Sequence, residues 1–265
     1  MALKNFPATL AACVLLLVCS ATFAQQDKPD GLASKPLTPP EKIETLADAG
    51  RFLNTYYLQP RPMMITQAFR IESQSGVLAR EAPRAPFIVF IGMALRQDDA
   101  PLAELLKFAS TLPMEQSGVI YSGIWFAGTD KTQAALKQAA ADAGDAAVRD
   151  AILKLLENQP PDLTTIPIES PSVIDMCWAW FMVTGDTQAV QRIITALPWM
   201  LDKTQVKQYM IGNYARASLA SNAVQHAAVL AYCKRSLEGQ TAETQHVLQD
   251  VIDAAEKRLA PEGEK

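Results

Sequence analysis

Three stretches of the chain, Phe87 to Leu95, Val119 to Phe126 and Val173 to Val183, are almost wholly apolar. Each would fill roughly two to three turns of helix. None shows the strict alternation of a half-buried strand, and residues such as Ala, Leu, Met and Gln, common through the chain, lose little rotamer freedom in a helix. Each stretch carries a small residue seven positions before an aspartate, in the pairs Gly92/Asp99, Gly123/Asp130 and Ala179/Asp186. Each aspartate leads into a more amphipathic segment, "APLAELLKFASTLP", "KTQAALKQAAADAG" and "TQAVQRIITALP". The unit this predicts is a hairpin of one buried and one half-exposed helix, with the small residue letting neighbouring backbones approach.

The aspartates are 31 and 56 residues apart, the second spacing being about two units of 28, a length suited to stacked helical hairpins. The Trp-Leu-Gly-Tyr-Ala pattern of tetratricopeptide repeats is absent. The expected fold is therefore all-α: stacked antiparallel helical hairpins, repeat-like, as an α-solenoid or an irregular helical bundle. One segment departs from the helical pattern, "LTTIPI" from Leu163 to Ile168, and Pro167 inside it predicts an extended loop.

The ends read differently. Residues 1–24 combine Lys4, an apolar run from Phe6 to Val18 and a small-residue tract ending at Ala24, the grammar of a secretory signal peptide cut after Ala24. Two alternatives stand behind it. Phe6 to Ala24 is close to the roughly 20 residues that cross a bilayer, so an uncleaved anchor is second. Lipidation at Cys13 within "LAAC", or at Cys19, is third, since cutting before Cys13 would strand the greasiest part of the segment. Residues 25–40, "QQDKPDGLASKPLTPP", read as a proline-rich tether. A single helical domain is expected over 41–260, opening with Thr38 as cap and Glu41 closing a capping box, and the tail 261–265 should fray. The compartment implied is the periplasm or the exterior, with no further membrane span.

Net charge is −4, which argues against nucleic acid, whose binding needs clustered Lys and Arg. Of four cysteines, Cys177 and Cys233 lie beyond the signal segment. The first reading is two small buried hydrophobes; the alternative, which an oxidising compartment would permit, is a disulfide between them.

Candidate chemistry is sparse. "DKTQ" at Asp130 and again at Asp202, with "DTQ" at Asp186, has the spacing of helix caps. Asp175 is the only charged residue from Ser172 to Val183, placed past the first turn of a helix opened by Ser170 and Pro171. A carboxylate buried there must find a partner or take up a proton. His226 and His246 are the two histidines, and neither sits in a zinc-ligand spacing. His226 could pair with Asp175 or a cysteine in catalysis, but no local signature accompanies it. No G-x-S-x-G and no phosphate-cradling glycine loop occurs, so no metal or cofactor is expected. Trp178 and Trp180 cannot share one helix face, and one of them, or Trp199, is a candidate anchor for a partner. The arginines at 51, 61, 70, 80, 84 and 96 stand near Glu72, Glu81, Asp98 and Asp99, which predicts a solvated, paired surface.

These features favour an exported module that binds another protein of the envelope or extracellular space and performs no chemistry. The competing readings are a helical enzyme acting on an envelope polymer or lipid through Asp175, and a carrier of a small molecule or lipid between its apolar helices.

Overall fold

A computed structural model describes residues 36–260. The signal segment, most of the tether and the tail 261–265 lie outside the described residues. Among those described there are twelve α-helices and no strand: α1 (Leu46–Thr55), α2 (Ile65–Gln74), α3 (Arg84–Gln97), α4 (Leu102–Ala109), α5 (Met114–Ala127), α6 (Asp130–Asp142), α7 (Ala146–Leu156), α8 (Pro171–Thr184), α9 (Thr187–Ile194), α10 (Val206–Gln225), α11 (Ala227–Ser236) and α12 (Ala242–Leu259). Short 3₁₀ turns, including Tyr56–Leu58, Val77–Ala79 and Leu197–Leu201, join several of them. None of the described helices is long and apolar enough to cross a membrane.

The three apolar stretches form α3, α5 and α8, and α3 lies between the other two. The order α5–α3–α8 is not the order of the chain. Because α3 is covered on both flanks, its expected partner α4 packs instead on α5 and α2. The other two hairpins do form, α6 folding back on α5 and α9 on α8. Beyond α8, α10 packs with α12, α11 and the Leu197–Leu201 turn. Buried apolar side chains make one connected cluster from Ile43 to Ala255.

The small residues do what their spacing predicts at the α3–α5 contact. A Cβ on Gly92 would come 2.6 Å from Phe126 Cδ1, and one on Gly123 would come 2.6 Å from Ile91 Cβ. Only a missing side chain lets these two backbones lie so close. Gly128 and Gly185 end α5 and α8 in the left-handed conformation, the usual C-terminal stop.

Local termini depart from expectation. Residues 36–45 are not helical, and the capping box is made by Thr45 and Asp48 at the start of α1. Pro39 and Pro40 bias the residues before them toward extended backbone, and that strap is pinned. Leu37 donates to the carbonyl of Gln225, while Arg61 donates to the carbonyls of Pro40 and Glu41. Asp186 caps α9 by accepting from Gln188 N. Asp130 does not cap α6, because Thr129 does, leaving Asp130 in the first turn, where its charge meets the positive end of the helix dipole. Asp202 instead closes a turn onto Thr204. The stretch from Leu163 to Ile168 is a loop, held by the guanidinium of Arg192 on the carbonyls of Thr164 and Ile166.

Candidate functional site

Asp175 sits on α8 facing α10, and its Oδ1 accepts from Tyr214 Oη at 2.5 Å. Burial pushes the carboxyl up to about 6, against the pull of that hydrogen bond. Cys177, two residues on, is fully buried, and burial raises its thiol to about 11 although Arg192 pulls the other way. Cys233 on α11 is raised to about 12, again by burial. Both cysteines are free thiols and are not bonded to each other, so the disulfide alternative gives way to two small buried hydrophobes. Protonated thiols of this kind are poor nucleophiles.

His226 lies away from the Asp175–Tyr214 contact. It occupies the break between α10 and α11, where Tyr57 Oη lies 3.2 Å from its Nδ1 and the rings of Tyr57 and Phe181 pack on it. Its Nε2 is buried without a partner, and burial lowers its pKa to about 4. It stands twelve residues beyond Tyr214 in sequence, a separation of about 18 Å along a helix. Asp175 and His226 are thus not brought together. No group of three or more His, Cys, Asp or Glu able to hold a metal occurs among the described residues.

Of the tryptophans, Trp178 and Trp180 are 3% and 5% exposed, so both belong to the core and cannot act as surface anchors without unfolding α8. This corrects the expectation that one of them lines a groove. The reason is that α8 is covered on several sides, by α3, α9, α1 and the Tyr56–Leu58 turn, so residues on opposite faces are both buried. Trp199 keeps partial exposure beside an apolar edge formed by Leu201, Val206 and Met210, each about half exposed or more.

Four of the six arginines make structural contacts. Arg51 pairs with Asp48, Arg61 and Arg96 bind backbone carbonyls, and Arg61, Arg70 and Arg96 lie over the rings of Phe52, Phe108 and Phe126. Glu72 is not on a solvated surface. It is 3% exposed, Oε2 has no partner, and burial lifts its pKa to about 7, with Arg80 opposing.

The feature that sequence reasoning missed is a trough of about 510 Å³ between α4, α5, α6 and α7. Leu106, Ala109 and Leu112 form one wall, Ala135, Ala139 and Val148 the other, and Tyr121 stands at its floor. Ala135, Ala139 and Ala143 recur at every fourth position, one face of a helix. Side chains that small leave the space between helices unfilled, and the alanine period was the signal available beforehand. Its volume falls within the range of roughly 300 to 1,000 Å³ typical of ligand sites. Comparisons with protein families, curated proteins and solved structures find no match to this chain.

Proposed function

We propose that this protein is a binding module of the cell envelope, which receives a segment of a partner protein in the α4–α7 trough and performs no chemistry itself. The trough carries the reading: it is mainly apolar, open on one side and built from four helices held by a common core. The groups considered for catalysis support it, since Asp175 is engaged by Tyr214 and not by His226, and the two thiols are buried and held protonated. Placement in the envelope rests on the signal-like residues 1–24.

The test is site-specific photo-cross-linking in cells, with the reactive residue placed at Gln138 in the trough or at Val206, 64% exposed on α10. A discrete protein adduct from position 138 and not from 206 is expected. The same adducts from both positions, or none from 138, would overturn the reading. Co-purification of a stoichiometric lipid removed by the substitution Ala139→Trp would replace it with the carrier alternative.

A further inference from the structure

We infer that the trough takes a cationic amphipathic segment, one apolar face seated between α4 and α6 and Lys or Arg side chains reaching its acidic end. The inference rests on the reading above and names the chemistry of the partner. The walls are apolar, but the charged residues lining the trough are Asp142 and Asp145, and no Lys or Arg lines it. Both aspartates are exposed where α6 gives way to α7, and among the described residues neither forms a salt bridge. Asp142 accepts only from the neutral amide of Gln138, and Asp145 from the backbone N–H of Ala147. Two carboxylates at one end of an apolar channel favour a partner carrying positive charge there, and disfavour an acidic one by like-charge repulsion.

A second, independent feature lies at the floor. Tyr121 is 6% exposed, its hydroxyl makes no hydrogen bond within the described residues, and that oxygen is not among the fully enclosed polar atoms. The hydroxyl thus keeps part of the residue's remaining exposure, and Tyr121 lines the trough. Burial raises its pKa, so the phenol stays a donor at neutral pH. An occupant that covered this hydroxyl without accepting from it would leave a costly unsatisfied donor, so the seated segment is expected to place a polar acceptor there. The α6 wall has thirteen residues, about 20 Å of helix, which sets the occupant at three to four helical turns.

The experiment uses the chain from residue 25 onward and a labelled 14-residue peptide with Leu and Ala on one helical face and Lys on the other. Two companions carry Glu or Gln in place of Lys, and binding is followed by fluorescence anisotropy at low and moderate salt. The Lys peptide is expected to bind at least tenfold more tightly than the Glu peptide. The double variant Asp142→Asn, Asp145→Asn should bring the two to parity, and Tyr121→Phe should weaken both Lys and Gln peptides several-fold. Both aspartates are exposed and Asn caps as well as Asp, so the double variant keeps its fold.

Equal or tighter binding of the Glu peptide overturns the cationic assignment while leaving the binding module intact. So does a Lys preference that survives the double variant, since general acidity would then explain it. Failure of every peptide overturns the assignment, and only if position 138 also yields no cross-link does the wider reading fall with it.

Discussion

The Oη of Tyr214 donates to Oδ1 of Asp175 across 2.5 Å, joining α10 to α8. The bond explains how the one charged residue of an apolar helix is tolerated: a hydroxyl partner offsets part of the desolvation that lifts the carboxyl to about 6. A structural carboxylate of this kind can be replaced by a neutral acceptor. Asp175→Asn should retain the fold, shift stability by no more than about 1 kcal/mol at pH 7, and leave the cross-link from position 138 unchanged. Asp175→Ala, which removes the acceptor, should lose about 1–2 kcal/mol. Urea unfolding of the two variants reads the difference. Loss of a biochemical activity in folded Asp175→Asn would instead revive the enzyme reading.

Two glycines of α5 should respond oppositely to the same substitution. At Gly123 a Cβ would lie 2.6 Å from Ile91 Cβ, whereas at Gly118 nothing stands within 4 Å. Alanine is favoured over glycine in a helix by about 1 kcal/mol, so Gly118→Ala should be stabilising by up to that amount. In Gly123→Ala the overlap with α3, of the kind that costs about 1–3 kcal/mol, should outweigh the gain. A fall in thermal midpoint for Gly123→Ala beside a rise for Gly118→Ala is the expected pair. Similar midpoints for both would mean that α3 and α5 are not packed this closely.

That contact shows what was legible in the sequence. A small residue seven positions before an aspartate located Gly92 and Gly123 at a helix contact, because helix periodicity and close approach are both local properties. The neighbour of α3 on its other side was not legible. Residues 157–170 separate α7 from α8, and nothing within them states that α8 returns to α3. Glu72 was readable and overlooked: Ile65, Ala68, Phe69 and Glu72 follow the i, i+3, i+4, i+7 rhythm of a buried stripe. Trp178 and Trp180 misled for the reverse reason, since the one-face argument fails for a helix buried on several sides. The trough needs four helices to exist, so α6 alone could show only its alanine stripe.

The cysteines give a direct check on compartment chemistry and packing together. Cys177 and Cys233 are fully buried, unbonded, and held protonated by burial. Protein prepared from residue 25 onward, without reductant, should show no reaction with a thiol reagent under native conditions and two equivalents in denaturant. Labelling in the native state should proceed only as fast as the core opens. Zero thiols in denaturant would establish a bond between them and a different placement of α8 and α11.

Acid and base should strain this core at different residues. His226 has its folded pKa lowered from 6.5 to about 4 by burial, so the stability it supports is present above about pH 6.5 and lost as pH falls through 4. Glu72 is the opposite case, raised from 4.5 to about 7 by burial: its contribution is full below about pH 4.5 and lost as pH rises through 7. Each shift corresponds to about 3 kcal/mol across its window. Between pH 4.5 and 6.5 the His226 slope opposes that of Glu72, while Asp175, raised from 3.8 to about 6 by burial but partly exposed, adds a smaller slope of the same sign as Glu72, so the parent protein's stability should fall modestly as pH rises through that window. Glu72→Gln removes one slope, so it should be more stable than the parent by about 2–3 kcal/mol at pH 8 and nearly equal at pH 4.5. With Glu72 gone, His226 taking up a proton should lower stability on acidification from pH 6.5, partly offset below pH 6 by Asp175, and adding Asp175→Asn should steepen that fall. Urea unfolding at pH 4.5, 6 and 8 measures all of this, and a Glu72→Gln variant no more stable than the parent at pH 8 would show that the carboxylate has a partner after all.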